Sequence, residues 1–239
     1  MNYGIVVKVL GMILLIEALL MSPALFISQA HGGEAVLPFM STLGVMVILG
    51  LAMISVKKTH DHIRARDGIV IVALGWVMIS IFGSLPLYLA GSVTHYVDAF
   101  FEIVSGFTTT GASVIADVEG LDKGILFWRS MTHWIGGMGI LVFTLALLPA
   151  LGVGSLQIFK AESPGPVAGK MVPRMKDTAR VLYTTYITMT LLQVFFLTLG
   201  GVSLLESFVI TFGTMGTGGF GPKNDSLASY SAYVQIVTS

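Results

Sequence analysis

A chain of 239 residues that is 54% hydrophobic and only 11% charged, with a mean hydropathy of +0.86, lies outside the composition of soluble globular domains. Its 13 basic and 13 acidic residues cancel, which leaves no electrostatic footprint for nucleic acid. The sequence has no cysteine, and this excludes disulfides, thiolate metal sites and cysteine nucleophiles.

The first apolar run, Ile5 to Ile27, imitates a signal peptide, because Lys8 precedes most of its apolar residues and Ser28-Gln29-Ala30 resembles a cleavage site. The run is too long for a signal core of about 7–15 residues and fits a spanning helix of about 20. Spans are expected at 5–28, 37–56, 68–91, 125–150 and 178–200. Two apolar pieces, 97–107 and 204–213, have about half that length and run into glycine-rich sequence. A helix that stops halfway must satisfy its loop backbone inside protein or against water, so both are read as re-entrant pore helices. The expected fold is therefore an all-α integral membrane protein of repeated span, pore helix, filter loop and span, as in potassium channels, preceded by two extra helices.

Charge placement sets the expected orientation. Lys57, Lys58, Arg64 and Arg66 follow the second span, and Lys160, Lys170, Arg174, Lys176 and Arg180 precede the fifth. Positive loops stay in the cytoplasm, which places loops 57–66 and 160–180 inside and the half-length segments outside. Acids dominate that outer side: Glu34, Asp98, Glu102, Asp117, Glu119, Asp122, Glu206 and Asp225. They read either as an ordinary solvated surface or as a vestibule that concentrates cations.

The stretch 99–111 aligns with 206–218 at a constant offset of 107, pairing Phe101 with Phe208, Ile103 with Ile210, Gly106 with Gly213, Thr110 with Thr217 and Gly111 with Gly218. The chain divides accordingly: 1–66, two helices and a basic loop; 67–151, a first pore-loop repeat; 152–177, a cytoplasmic linker; and 178–239, a second repeat that stops about fourteen residues into its closing helix. A dehydrated cation crosses protein only where oxygen atoms replace its water, and backbone carbonyls do so without fixed charge. Turning them to one axis takes positive φ, which glycine adopts freely. Thr109, Thr110 and Gly111 in the first loop and Gly216, Thr217 and Gly218 in the second meet this need, as potassium-binding filter positions. Gly216 to Gly221 also contains G-x-G-x-x-G, but without the preceding strand of a dinucleotide site.

Three motifs in order, Ser105-Gly106-Phe107-Thr108-Thr109-Thr110-Gly111-Ala112-Ser113, Phe127-Trp128-Arg129-Ser130 with His133-Trp134-Ile135-Gly136-Gly137-Met138-Gly139, and Gly216-Thr217-Gly218-Gly219-Phe220-Gly221-Pro222, resemble the Trk/Ktr/HKT superfamily of potassium transporters. The likeness is to the N-terminal half of the bacterial Trk-type membrane subunits and covers essentially the whole chain. It implies four repeats around one pore, a homodimer in the inner membrane, a cytosolic nucleotide-binding regulatory subunit, potassium as the substrate with no cofactor, and no enzymatic activity. It also implies that a glycine in each loop goes with potassium selectivity, and serine in the first with sodium tolerance.

Several side chains remain ambiguous in sequence. Arg129 either pairs with a pore-helix acid, Glu102, to brace the filter or snorkels beside Trp128. His133, four residues on, reads as a packed histidine, and Glu17 as an inward-facing structural carboxylate. His60-Asp61-His62 looks metal-like but falls short of a ligand set. Competing functions are a secondary transporter built on glycine-broken helices, a multi-pass enzyme and a non-conducting scaffold.

Overall fold

The computed structural model describes residues 3–56, 65–150 and 175–239. Among them every regular element is helical, with no strand. Helices α1 (Tyr3–Ala30) and α2 (Val36–Ile54) form an antiparallel pair. Two glycines set its closeness: a Cβ on Gly11 would lie 2.7 Å from Met53 Cβ, and one on Gly50 2.6 Å from Leu15 Cδ2. In lipid the hydrophobic effect does not drive helices together, so such small-residue contacts are what allow close packing.

Helix α3 (Ala65–Leu89) leads to the short α4 (Tyr96–Phe107), and α5 (Lys123–Ala150) follows. Helix α6 (Met175–Leu199) leads to a second short helix, α7 (Leu204–Met215), and the described chain ends in α8 (Ala232–Thr238). By length and composition, α1, α2, residues 67–89 of α3 and residues 180–199 of α6 suffice to cross a membrane. Helix α5 occupies the fourth expected span; at about 1.5 Å per residue its 28 residues exceed a hydrocarbon core of about 30 Å. The two short helices have 12 residues each and cannot cross.

Helix α5 lies between the two short helices, α4 packing on one side and α7 on the other. Its glycines make this possible. A Cβ on Gly136 would strike the backbone of Phe107 at the end of α4, and one on Gly137 would stand 3.2 Å from Gly216 Cα beyond α7. The Gly136-Gly137-Met138-Gly139 run is thus a packing device, with Gly139 against Trp76. The main core gathers around Trp128, Phe107, Ile103 and Phe212, and Trp128 Nε1 donates to the Gly83 carbonyl at 2.8 Å. Asp122 caps α5, accepting from Gly124 N at 2.7 Å, and its other oxygen accepts from Ser28 Oγ at 2.9 Å. One carboxylate therefore starts α5 and ties it to the α1–α2 pair.

Two expectations change here. The short helices run from 96 to 107 and from 204 to 215, so both their starts and their ends differ by 108, not 107. The second unit's closing helix also begins later than expected, at Ala232. Before it, Ser226 adopts φ +60 in a turn, and Ser231 caps the helix by accepting from Val234 N. Residues 57–64 and 151–174, with His60-Asp61-His62 and most of both basic loops, lie outside the described residues.

Candidate permeation site

Both short helices stop in the same way. At the end of α4, Thr109 N donates to the Gly106 carbonyl at 3.0 Å and Thr110 N to the Ser105 carbonyl at 2.9 Å. At the end of α7, Thr217 N donates to Thr214 at 2.8 Å and Gly218 N to Gly213 at 3.0 Å. This is the Schellman pattern, in which a left-handed residue follows the cap and is usually glycine. Here that residue is threonine in both loops, with φ +55 at Thr109 and φ +56 at Thr217. A β-branched residue in this region is a true outlier, costing roughly 1–2 kcal/mol, and such outliers cluster at functional sites.

Two residues later the backbone turns left-handed again, at Gly111 (φ +75) and Gly219 (φ +83). The hydrogen bonds and the φ signs both keep the 108-residue spacing of the helices. Thr109 thus corresponds to Thr217, Thr110 to Gly218, and Gly111 to Gly219. The sequence alignment had matched Gly111 with Gly218; in space these two glycines are neighbours across the loops. A Cβ on Gly111 would collide with the Gly218 carbonyl oxygen and lie 2.9 Å from its carbon. The structure brings the two expected filter segments together at Gly111 and Gly218, while Gly216 lies against the His133 backbone, and a cavity of about 210 Å³ lined by Gly111, Ser113, Arg129, Gly219, Phe220 and Asn224 opens beside them.

Loop 1 is tied down by a carboxylate. Glu102 is fully buried, and its oxygens accept from Ser113 Oγ and Val114 N, each at 2.9 Å. The same carboxylate pairs with Arg129 Nε. Arg129 is 3% exposed, so it does not snorkel, and Glu102 belongs to the interior, not to an acidic vestibule. Thr108 Oγ1 bonds the Val104 carbonyl at 2.7 Å and Thr110 Oγ1 at 2.8 Å, which occupies both hydroxyls.

Loop 2 is held by rings. The Arg129 guanidinium carbon stands 3.5 Å from the centre of the Phe220 ring, and the His133 ring centre is 3.9 Å from it. His133 is buried and fills the space where a Cβ on Gly218 would go. Phe220, Gly219 and His133 were not among the expected filter residues; the Gly218-Gly219-Phe220 run was the available signal. Farther out, Asn224 joins the segments that follow the loops. Its Oδ1 accepts from Val118 N at 2.8 Å, its Nδ2 donates to Asp117 Oδ1 at 2.9 Å, and its own N–H donates to Glu119 Oε1 at 3.1 Å. The Asn224 amide, then the Gly120 N–H, hold the Asp117 carboxyl below its ordinary value of 3.8.

Glu17 is buried in α1 as expected, and among the described residues neither of its oxygens has a hydrogen-bond partner. It faces Gly83 of α3, where Ile103 and Phe107 of α4 also approach.

Long apolar helices, with two half-length helices that turn back into facing loops, define a helical multi-pass membrane protein. A family model described as TrkH, cation transport protein, matches residues 38–239, and the chain belongs to that family. It is 36% identical, over 100% of its length, to the Trk system potassium uptake protein TrkH of Vibrio parahaemolyticus, covering 50% of that protein. It is 31% identical to the Trk system potassium uptake protein TrkG of Escherichia coli, with 96% of this chain and 48% of the relative covered. The crystal structure of the potassium transporter TrkH from Vibrio parahaemolyticus superposes with a TM-score of 0.85 at 31% identity, over 100% of this chain and 48% of that one. The chain thus spans about half the length of the relatives it matches.

Proposed function

We propose that this chain supplies two of the walls of a potassium-selective uptake pathway in the inner membrane. The observation that carries the reading is the pair of identical helix endings, each with a strained threonine followed by a left-handed glycine, that meet at Gly111 and Gly218. A backbone whose φ alternates in sign turns successive carbonyls to one side, unlike a strand, where they alternate. Thr109–Gly111 and Thr217–Gly219 then offer the ion its oxygens, Gly216 sits below as the helix cap, and Glu102 with Arg129 supports the filter. The carbonyl ends of α4 and α7 favour a cation beneath the loops. The names of the relatives, as potassium uptake proteins, point to the same ion.

On this reading the basic segments around 57–66 and 160–180 face the cytoplasm. The pathway is completed by further repeats, two copies assemble, and a cytosolic nucleotide-binding subunit regulates flow. The complete natural chain is expected to restore growth of uptake-deficient cells at low potassium and to take up rubidium in preference to sodium. Expression in the membrane without either result would overturn the proposal.

A further inference from the structure

Phe220 is held by groups that do not belong to its own loop. Its ring is contacted by the Arg129 guanidinium at 3.5 Å and by the His133 imidazole at 3.9 Å. Its backbone lies directly on Gly213 of α7, where any Cβ would stand 3.2 Å from Phe220 N and 3.1 Å from Phe220 C. Residue 220 is 3% exposed and comes straight after the left-handed Gly219. Wherever the ring is held, the carbonyl of Gly219 must follow, since a single peptide plane links the two.

The corresponding position in loop 1 is Ala112, which is exposed and packs nothing comparable. Loop 1 is anchored through Glu102 instead, and Glu102 holds the Nε of the same Arg129 whose face covers Phe220. A guanidinium can do both at once because it hydrogen-bonds in its plane and stacks through its face. Lysine can make either contact, but its ammonium has no planar face to stack while its edge is hydrogen-bonded.

We infer that Phe220 is a positioning residue for ion selectivity: its stacking on Arg129 sets loop 2 in register with loop 1, and discrimination between potassium and sodium depends on that contact. This inference rests on the permeation reading given above. Sodium is the smaller ion, and loops free to shift relative to one another can close around it.

The test uses the complete natural chain in membranes, with uptake of rubidium and sodium measured against the amount of folded protein. Phe220→Leu removes the π face, and a desolvated cation–π contact of this kind corresponds to a loss of discrimination of about fivefold to thirtyfold. Phe220→Tyr keeps the face and is expected to retain discrimination. Arg129→Lys is expected to lose it, and Phe220→Leu combined with Arg129→Lys to be no worse than the larger single loss. If Phe220→Leu fails to accumulate, Phe220→Met fills similar volume without a π face and replaces it. Unchanged discrimination in Phe220→Leu or Phe220→Met, or fully additive losses in the double variant, overturns the inference. A wild-type chain that does not prefer rubidium overturns the permeation reading itself.

Discussion

Loop 1 and loop 2 end their helices with the same hydrogen bonds and the same left-handed threonine, yet they are secured by opposite chemistry. Loop 1 hangs on a buried carboxylate through directed bonds to Ser113 and Val114. Loop 2 is pressed into place by the rings of Phe220 and His133. A shared backbone can therefore rest on unrelated supports, provided each fixes the residues just beyond the turn. Directed polar anchors fail abruptly when one partner is removed, whereas packed rings give way gradually as their surfaces part.

That contrast predicts its own largest break. Glu102→Ala would strand a buried guanidinium and two loop donors, at a cost of about 3–5 kcal/mol. Thermal unfolding in detergent should show this as a large fall in midpoint, with Glu102→Gln falling less; no appreciable fall in Glu102→Ala would deny the buried carboxylate its role. The two left-handed glycines come next. Gly111→Ala meets the Gly218 carbonyl as well as an unfavourable φ, whereas Gly219→Ala faces open space. The second change should therefore cost only about 1–2 kcal/mol and the first clearly more, as compared by the same melting measurement.

Gly218→Ala sharpens the comparison differently, because it collides with a side chain and not with backbone. Its defect in folding yield is expected to be partly relieved by His133→Ala, while that of Gly111→Ala is not; fluorescence-detected size exclusion would score both pairs. The smallest effect belongs to the Asn224 staple. Asn224→Ala removes the two side-chain hydrogen bonds to Val118 and Asp117 and should speed amide exchange at Val118. Because Asp117 is held below its ordinary 3.8, its contribution is complete above that pH and is lost as pH falls through the folded value. The protection of Val118, taken relative to the intrinsic exchange rate at each pH, should thus be constant from neutral pH down to that point and fall only in stronger acid, a fall that Asn224→Ala abolishes.

Much of this arrangement was legible in sequence. Apolar run length distinguished α4 and α7 from true spans, and the charged pair Glu102 and Arg129 stood out in an apolar setting. The register was not legible, for a physical reason. Gly106 and Gly213 match at an offset of 107, but each is glycine for a different neighbour, Thr132 in one case and the Phe220 carbonyl in the other. Identity there records unrelated packing needs, while the backbone correspondence follows the helix ends. Phe220 was hidden because its partners lie far away in sequence on α5, and no local pattern encodes a stack.

Arg129 follows loop 1 in sequence and holds its carboxylate anchor, yet the face of its guanidinium serves loop 2. The two loops are thus woven together and are not beads on a string. Exchanging one loop and its short helix for those of a relative would transplant only one side of a shared joint, so a working chimera has to carry matched residues at 102, 129 and 220 across the seam. By the same logic, two pieces severed between 150 and 175 would have cause to find each other again in the membrane, because Phe220 of the second takes its ring partners, Arg129 and His133, from the first.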